Sequence, residues 1–235
     1  MSGRALKIYL AGDLFDAKDI AGNLLLAGLI EKKSGGRYQV MLPQDGESEV
    51  TNRTSQSIRD ADFELLLNCD VIVANFDGTD LDSGTVVEFC FAKMLDMPAV
   101  LLRTDFRNSG DATLPDGEPW NLMCSHYPRT EVRHINAMLR YHEYKDSAVD
   151  KIRVLENFYE AIAEETVQAI DKVVACESWL KENEIQLQLK MLLKSVGKSL
   201  SERFPEERIK KLAESKSATT LYRASWKTSL EQENI

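Results

Sequence analysis

The sequence predicts a three-layer α/β fold with a parallel sheet, flavodoxin-like or Rossmann-like, followed by a C-terminal helical extension. Three observations predict it. Short β-prone runs alternate with amphipathic helical stretches in a βαβαβαβ order, the pattern of strands joined by crossover helices. Each run stops at a cluster of Gly, Pro, Asn or Asp, the residues that punctuate regular structure. Beyond about Ala148 the pattern changes to long helical periodicity with few breakers. These place an α/β domain over residues 1–147 and a helical extension over 148–235.

Leu6–Ala11 (LKIYLA) reads as the first strand, stopped by Gly12-Asp13. From Asp19 to Lys33 the residues Ile20, Leu24, Leu25, Ala27, Gly28 and Ile30 share one broad face, as a helix covering a sheet requires. Ser34-Gly35-Gly36 ends it. Tyr38–Leu42 reads as the second strand, and Pro43-Gln44-Asp45-Gly46 turns the chain at its carboxyl end. A polar loop over Glu47–Thr54 leads to a helix at Ser55–Leu67, with Ile58, Ala61, Phe63 and Leu66 or Leu67 inward. Asp70–Ala74 (DVIVA) is the third strand, Thr85–Leu95 the next helix, and Ala99–Leu102 a strand after Pro98, which cannot continue a helix. Arg103–Trp120 is a loop rich in Gly, Asp and Pro, long enough to suggest a functional or oligomer-contact role. Glu131–Tyr144 fits a further strand-to-helix connection. Val149–Trp179, Ile185–Leu200 and Pro205–Ser215 read as helices, with Ile152, Leu155, Phe158 or Tyr159, Ile162 and Thr166 or Ile170 forming a buried stripe in the first. The extension either covers its own domain or builds a dimer, and oligomerisation is favoured because the α/β unit looks complete without it. The polar tail from Lys216 is expected to fray.

Composition narrows the classes of function. A formal charge of −9 offers no basic stripe to release counterions from a nucleic-acid polymer. Single nucleosides remain open. The four cysteines have no CxxC spacing and the N-terminus has no signal-peptide pattern, which reads as a reduced, cytoplasmic protein. No apolar run approaches the ~18 residues that span a bilayer. The three histidines lack metal-ligand spacing, so no metal is expected. A dinucleotide cofactor is not expected either: the first strand is followed by Gly12-Asp13-Leu14-Phe15, not GxGxxG, with an acid where a pyrophosphate would lie.

Chemistry concentrates in Asn75–Glu88 (NFDGTDLDSGTVVE), which carries four acids and two glycines in fourteen positions. Asp77, Asp80 and Asp82 fall on a loop at the carboxyl end of a strand, the edge where open α/β sheets bind ligands. A loop aspartate alone is more often a solvated helix cap. Glu88 is harder to dismiss: flanked by Val86, Val87, Phe89, Cys90 and Phe91, it is a carboxylate in an apolar helix start, costly unless paired or used. Asp62, Tyr9, Gln44 and Asn121 are predicted at the same edge. Two carboxylates in one cleft suit glycosyl chemistry, one ionised as nucleophile and one protonated as acid. The same pair could hold Mg²⁺, but no basic residue nearby suggests the phosphates such ions recruit.

These residues carry a resemblance. Through KIYLAGDLF at Lys7–Phe15, the Asp62 helix, VIVANFDGTDLDSGTVVE at Val71–Glu88, the following FAKMLDMPAVLL and NLM at Asn121–Met123, the chain resembles the nucleoside 2-deoxyribosyltransferases over about Leu6 to Tyr127. The resemblance implies Glu88 as a nucleophile that forms a covalent deoxyribosyl-enzyme. It implies Asp82 and Asp62 at the base, assisting proton transfer, and Tyr9 orienting the nucleophile. Asn121 would reach the sugar of a neighbouring subunit's site, and Gln44 would contact the base. Gly12, Phe15, Asp77, Gly84 and Met123, which lie in the same motifs, complete the expected substrate-binding set. The implied partners are a 2′-deoxyribonucleoside and a free nucleobase, with no cofactor, in a homo-oligomer whose sites are shared. The chain departs from the family pattern at Asp13, where the family often has Pro, and at Cys90, where it often has Gly.

Two other readings stay open at this level. A hydrolase of the same fold would cleave the N-glycosidic bond of a deoxynucleoside or its 5′-monophosphate, although Asp13 and the acidic loop would repel a phosphate. A non-catalytic nucleoside-binding module would use the α/β domain as a sensor.

Overall fold

The computed structural model describes residues 4–46, 53–108 and 110–217. The sheet has strands β1 (Leu6–Ala11), β2 (Tyr38–Met41), β3 (Val71–Asn75), β4 (Ala99–Arg103) and β5 (Thr130–His134), all parallel, in the order β2-β1-β3-β4-β5. The helices are α1 (Ala17–Lys33), α2 (Pro43–Gly46), α3 (Ser55–Leu67), α4 (Ser83–Met94), α5 (Ala137–Tyr144), α6 (Lys151–Val174), α7 (Glu182–Val196), α8 (Lys198–Ser201) and α9 (Glu206–Ser217). The predicted α/β architecture is the observed one. Its topological switch lies between β1 and β3, so the loops after these strands border the ligand-binding crevice of such a sheet.

Period-two alternation decides which helices each strand residue meets. Tyr9, Ala11, Ile72, Ala74, Ala99 and Leu101 are buried in one cluster with Phe63 of α3 and Phe89 of α4. Ile8, Leu10, Val71, Val73, Val100 and Leu102 are buried in the other, with Ile30 of α1 and Ile162 and Ile170 of α6. Buried on both faces, the strands are near-continuous apolar runs, as parallel strands must be.

The helices after residue 148 form part of this core, which corrects the expectation that the α/β unit is complete without them. Helix α6 lies against α1, β4 and β5, with Ala163, Val167, Val173 and Val174 buried there. Leu189 and Leu193 of α7, Leu200, Phe204 and Ile209 join the α3–α4 cluster. Each buried Val, Leu, Ile or Phe among them contributes roughly 1.5–3 kcal/mol. Polar ties accompany them: Glu64 of α3 accepts from Arg203 at 3.0 Å and pairs with Arg208 at 2.8 Å. Buried Asp96 accepts from the Trp179 amide at 2.6 Å and the Ser178 hydroxyl at 2.8 Å.

Other expectations are also corrected. In α1 the buried residues are Leu26, Ala27, Leu29 and Ile30, while Ile20 and Leu24 are exposed, so the face turned inward is not the one the apolar spacing predicts. Ile152 and Leu155 are likewise exposed at the start of α6, where Val154 faces inward. Ile58 and Ala61 of α3 are only half-buried. Lys216 does not fray: it ends α9 buried, its ammonium donating to the Cys69 carbonyl at 2.8 Å. Residues 47–52 of the predicted polar loop and the tail from 218 lie outside the described residues. Among the described residues no helix is long and apolar enough to cross a membrane.

Candidate active site

Tyr9 sits near the carboxyl end of β1 with its side chain on the α3–α4 side, because its neighbours Ile8 and Leu10 take the other face. It is fully buried. Its phenol donates to Glu88 Oε1 at 2.6 Å, joining β1 to the second turn of α4. Helix α4 starts where it does because the Asp82 carboxylate caps it, accepting from the Thr85 amide at 2.6 Å and the Thr85 hydroxyl at 2.9 Å. That start puts Glu88 over β1.

Burial pushes the Glu88 carboxyl up to about 7, and the charges of Asp62 and Asp82 push it the same way. The Tyr9 hydrogen bond opposes them by favouring the ionised form. Tyr9 itself is held well above the ordinary phenol range by burial and by Glu88 and Asp62, so it remains a donor. Asp62, on α3, is thus close enough to act electrostatically on both Tyr9 and Glu88. The structure brings Tyr9, Asp62, Asp82 and Glu88 together. A carboxylate poised to ionise near neutrality, beside two further carboxylates, can act as nucleophile while a neighbour moves a proton.

The other predicted substrate-binding residues divide into groups. Gly12 lies where β1 leaves the sheet, and a Cβ there would come within 3.1 Å of Asn75 Cβ, so glycine lets the loops after β1 and β3 approach. Phe15, on the same loop, is largely exposed. Gln44 donates weakly to the Ile20 carbonyl at 3.4 Å, and its buried Oε1 has no hydrogen bond among the described residues. Gly84 lies against Asp82.

Asp77 serves as a brace. Its carboxylate accepts from the Thr104 amide at 2.5 Å, the Thr104 hydroxyl at 2.6 Å and the Asp105 amide at 2.7 Å, tying the loop after β3 to the loop after β4. Asn121 and Met123 are exposed and line a cleft of about 650 Å³ whose walls include Asp80, Leu81, Val86 and Trp120. The Asn121 side chain accepts from the Met123 amide at 2.9 Å, capping the short 3-10 turn Leu122–Cys124. Neither Glu88 nor Tyr9 lines this cleft.

Two residues that support the site, Thr85 and Arg103, were not singled out from the sequence. Thr85 fixes Asp82, and its signal was a hydroxyl three positions after the cap. Arg103, fully buried at the end of β4, donates to the Phe76 carbonyl and, at 2.9 Å, to the Arg107 carbonyl, bracing both loops. A cation closing the apolar run AVLLR was its signal. Asp13 is held above the usual carboxylate range by burial and by Asp82, Asp19 and Asp77, which places it among the acids of this edge. The sequence had already put an acid at this position after the first strand. Among the described residues no group of His, Cys, Asp and Glu is arranged to hold a metal ion.

Comparison with known protein families agrees with the resemblance. Residues 8–123 match the family model described as nucleoside 2-deoxyribosyltransferase. No curated protein matches the chain. Similar solved structures include a conserved protein from Enterococcus faecalis V583, at 26% identity and TM-score 0.47, covering 57% of this chain and 94% of that one. A 2-desoxiribosyltransferase from Leishmania mexicana is 21% identical with TM-score 0.42, covering 54% and 89%. A 2-deoxyribosyltransferase from Bacillus psychrosaccharolyticus is 17% identical with TM-score 0.42, covering 63% and 95%.

Proposed function

Starting from the match of residues 8–123 to the nucleoside 2-deoxyribosyltransferase family, we propose that this chain transfers 2-deoxyribose between nucleobases through a covalent deoxyribosyl-Glu88 intermediate. The observation that carries the reading is the buried Tyr9–Glu88 hydrogen bond of 2.6 Å beside Asp62 and Asp82. In the first step a Glu88 carboxylate oxygen bonds to C1′ of a 2′-deoxyribonucleoside as the C1′–N bond breaks. The departing base takes the electron pair and a proton supplied through Asp82 or Asp62. In the second step a nitrogen of the acceptor base bonds to C1′, Glu88 leaves as carboxylate, and the acceptor's N–H proton returns to the same acid. Two displacements retain configuration and give ping-pong kinetics.

The exposure of Asn121 and Met123, on a cleft that Glu88 does not line, supports a site completed between subunits of a homo-oligomer. The test is to incubate deoxyinosine with adenine and follow deoxyadenosine by chromatography. Transfer is expected, and Glu88→Ala should abolish it. Transfer that survives Glu88→Ala overturns the nucleophile; free deoxyribose without a new nucleoside would make the chain a hydrolase.

A further inference from the structure

We propose that Thr85, with Gly84, is a positioning residue that presents one oxygen of Asp82 to the nucleobase. The proposal builds on the transferase reading above and specifies how its base is recognised.

The geometry divides the two oxygens of Asp82. Oδ2 accepts from both the amide and the hydroxyl of Thr85, at 2.6 and 2.9 Å. Oδ1 has no hydrogen bond among the described residues. The division is sensitive to Gly84: a Cβ there would stand 3.0 Å from Oδ2, so a larger residue would displace that oxygen by a few tenths of an ångström and turn the carboxylate. Thr85 is itself buried, and its β-branched side chain is restricted at χ1, so the hydroxyl is held ready for Oδ2.

An aspartate that only capped α4 would need just the amide of Thr85. The hydroxyl of the same residue adds a second bond to the same oxygen and stops the carboxylate turning about χ2. What this leaves is Oδ1 as a single hydrogen-bonding atom at fixed orientation, within electrostatic reach of Glu88. A nucleobase edge fits it: one ring N–H or exocyclic N–H donates to Oδ1, and the same atom can deliver or collect the proton at that edge when the glycosidic bond breaks or forms. Loss of the lock should therefore fall on the base, with the sugar and the nucleophile little affected.

Three substitutions test this in the full chain, with donor and acceptor varied separately and thermal midpoints recorded. Thr85→Val keeps shape and amide but lacks the hydroxyl; it should lower kcat/KM for the acceptor base about 10-fold through misorientation. Thr85→Ser restores the hydroxyl and should recover most of that loss. Gly84→Ala favours the helix, so its midpoint should hold or rise while acceptor kcat/KM falls. In an Asp82→Ala background Thr85→Val should change little further, because the residue it orients is gone. Equal losses from Thr85→Val with and without Asp82, or failure of Thr85→Ser to recover activity, overturn the proposal alone. Absence of transfer by the wild-type chain overturns the transferase reading, and this proposal with it.

Discussion

Replacing Tyr9 with Phe should move the pH dependence of the first half-reaction without dismantling the site. The Tyr9 hydroxyl donates to Glu88 at 2.6 Å and is the force that favours ionisation against burial and the charges of Asp62 and Asp82. A hydrogen bond to a charged group contributes roughly 1.5–3 kcal/mol, and one pKa unit corresponds to about 1.36 kcal/mol, so the acid limb should rise by about one to two units. The wild-type limb is expected at about 7, because the nucleophile must be ionised and Glu88 lies there. At neutral pH Glu88 would drop from about half ionised to roughly a tenth or a hundredth, lowering base release about 5- to 50-fold and recovering near pH 9–10. Tyr9 is held too far above the ordinary phenol range to contribute a limb of its own. The assay is release of base from a deoxynucleoside, as kcat/KM across the pH range. A uniform loss with an unmoved acid limb would refute the reasoning, because it would mean that Tyr9 does not act through the charge on Glu88.

Two further perturbations separate bracing from chemistry. Asp77→Asn leaves one acceptor oxygen where a carboxylate now accepts three hydrogen bonds, so stability should fall by about 1–3 kcal/mol and the thermal midpoint by a few degrees. Its kcat/KM well below the midpoint should change less than about 3-fold, and a large kinetic loss with an unmoved midpoint would return Asp77 to the substrate. Leu189→Ala empties a fully buried position of α7 and should cost about 2–5 kcal/mol in one cooperative calorimetric transition. A separate early transition would show instead that the extension melts on its own.

Much of the site was legible because its residues lie in short local patterns. Asn75–Glu88 holds a strand end, a capping aspartate and a carboxylate in an apolar helix, and the structure places Asp82 and Glu88 where that pattern puts them. Tyr9 was legible as part of an alternating strand that ends at the same edge. The role of Asp77 was less legible. Its sequence neighbourhood resembles that of Asp82, and only the folded loop after β4 supplies the Thr104 and Asp105 donors that occupy it. Thr85 and Arg103 were missed for a related reason: each acts by satisfying a polar group on another segment or turn, which apolar periodicity does not register.

By itself the sequence determined the order of elements, the parallel sheet and the edge on which the acids gather, since all three follow from local periodicity and from strands that share one direction. The tertiary structure decided what faces what. It turned α6 from part of an appendage into the cover of β4 and β5 and packed α7–α9 with α3 and α4, because long-range burial chooses which apolar stripe turns inward and Ile20, Leu24 and Ile152 lost that competition. It also decided that Tyr9 meets Glu88 across 79 positions of chain, while Asn121 lines a cleft that neither of them lines. A carboxylate's titration depends on burial and on charges brought from distant segments, so the poise of Glu88 near neutrality exists only once β1, α3 and α4 have packed.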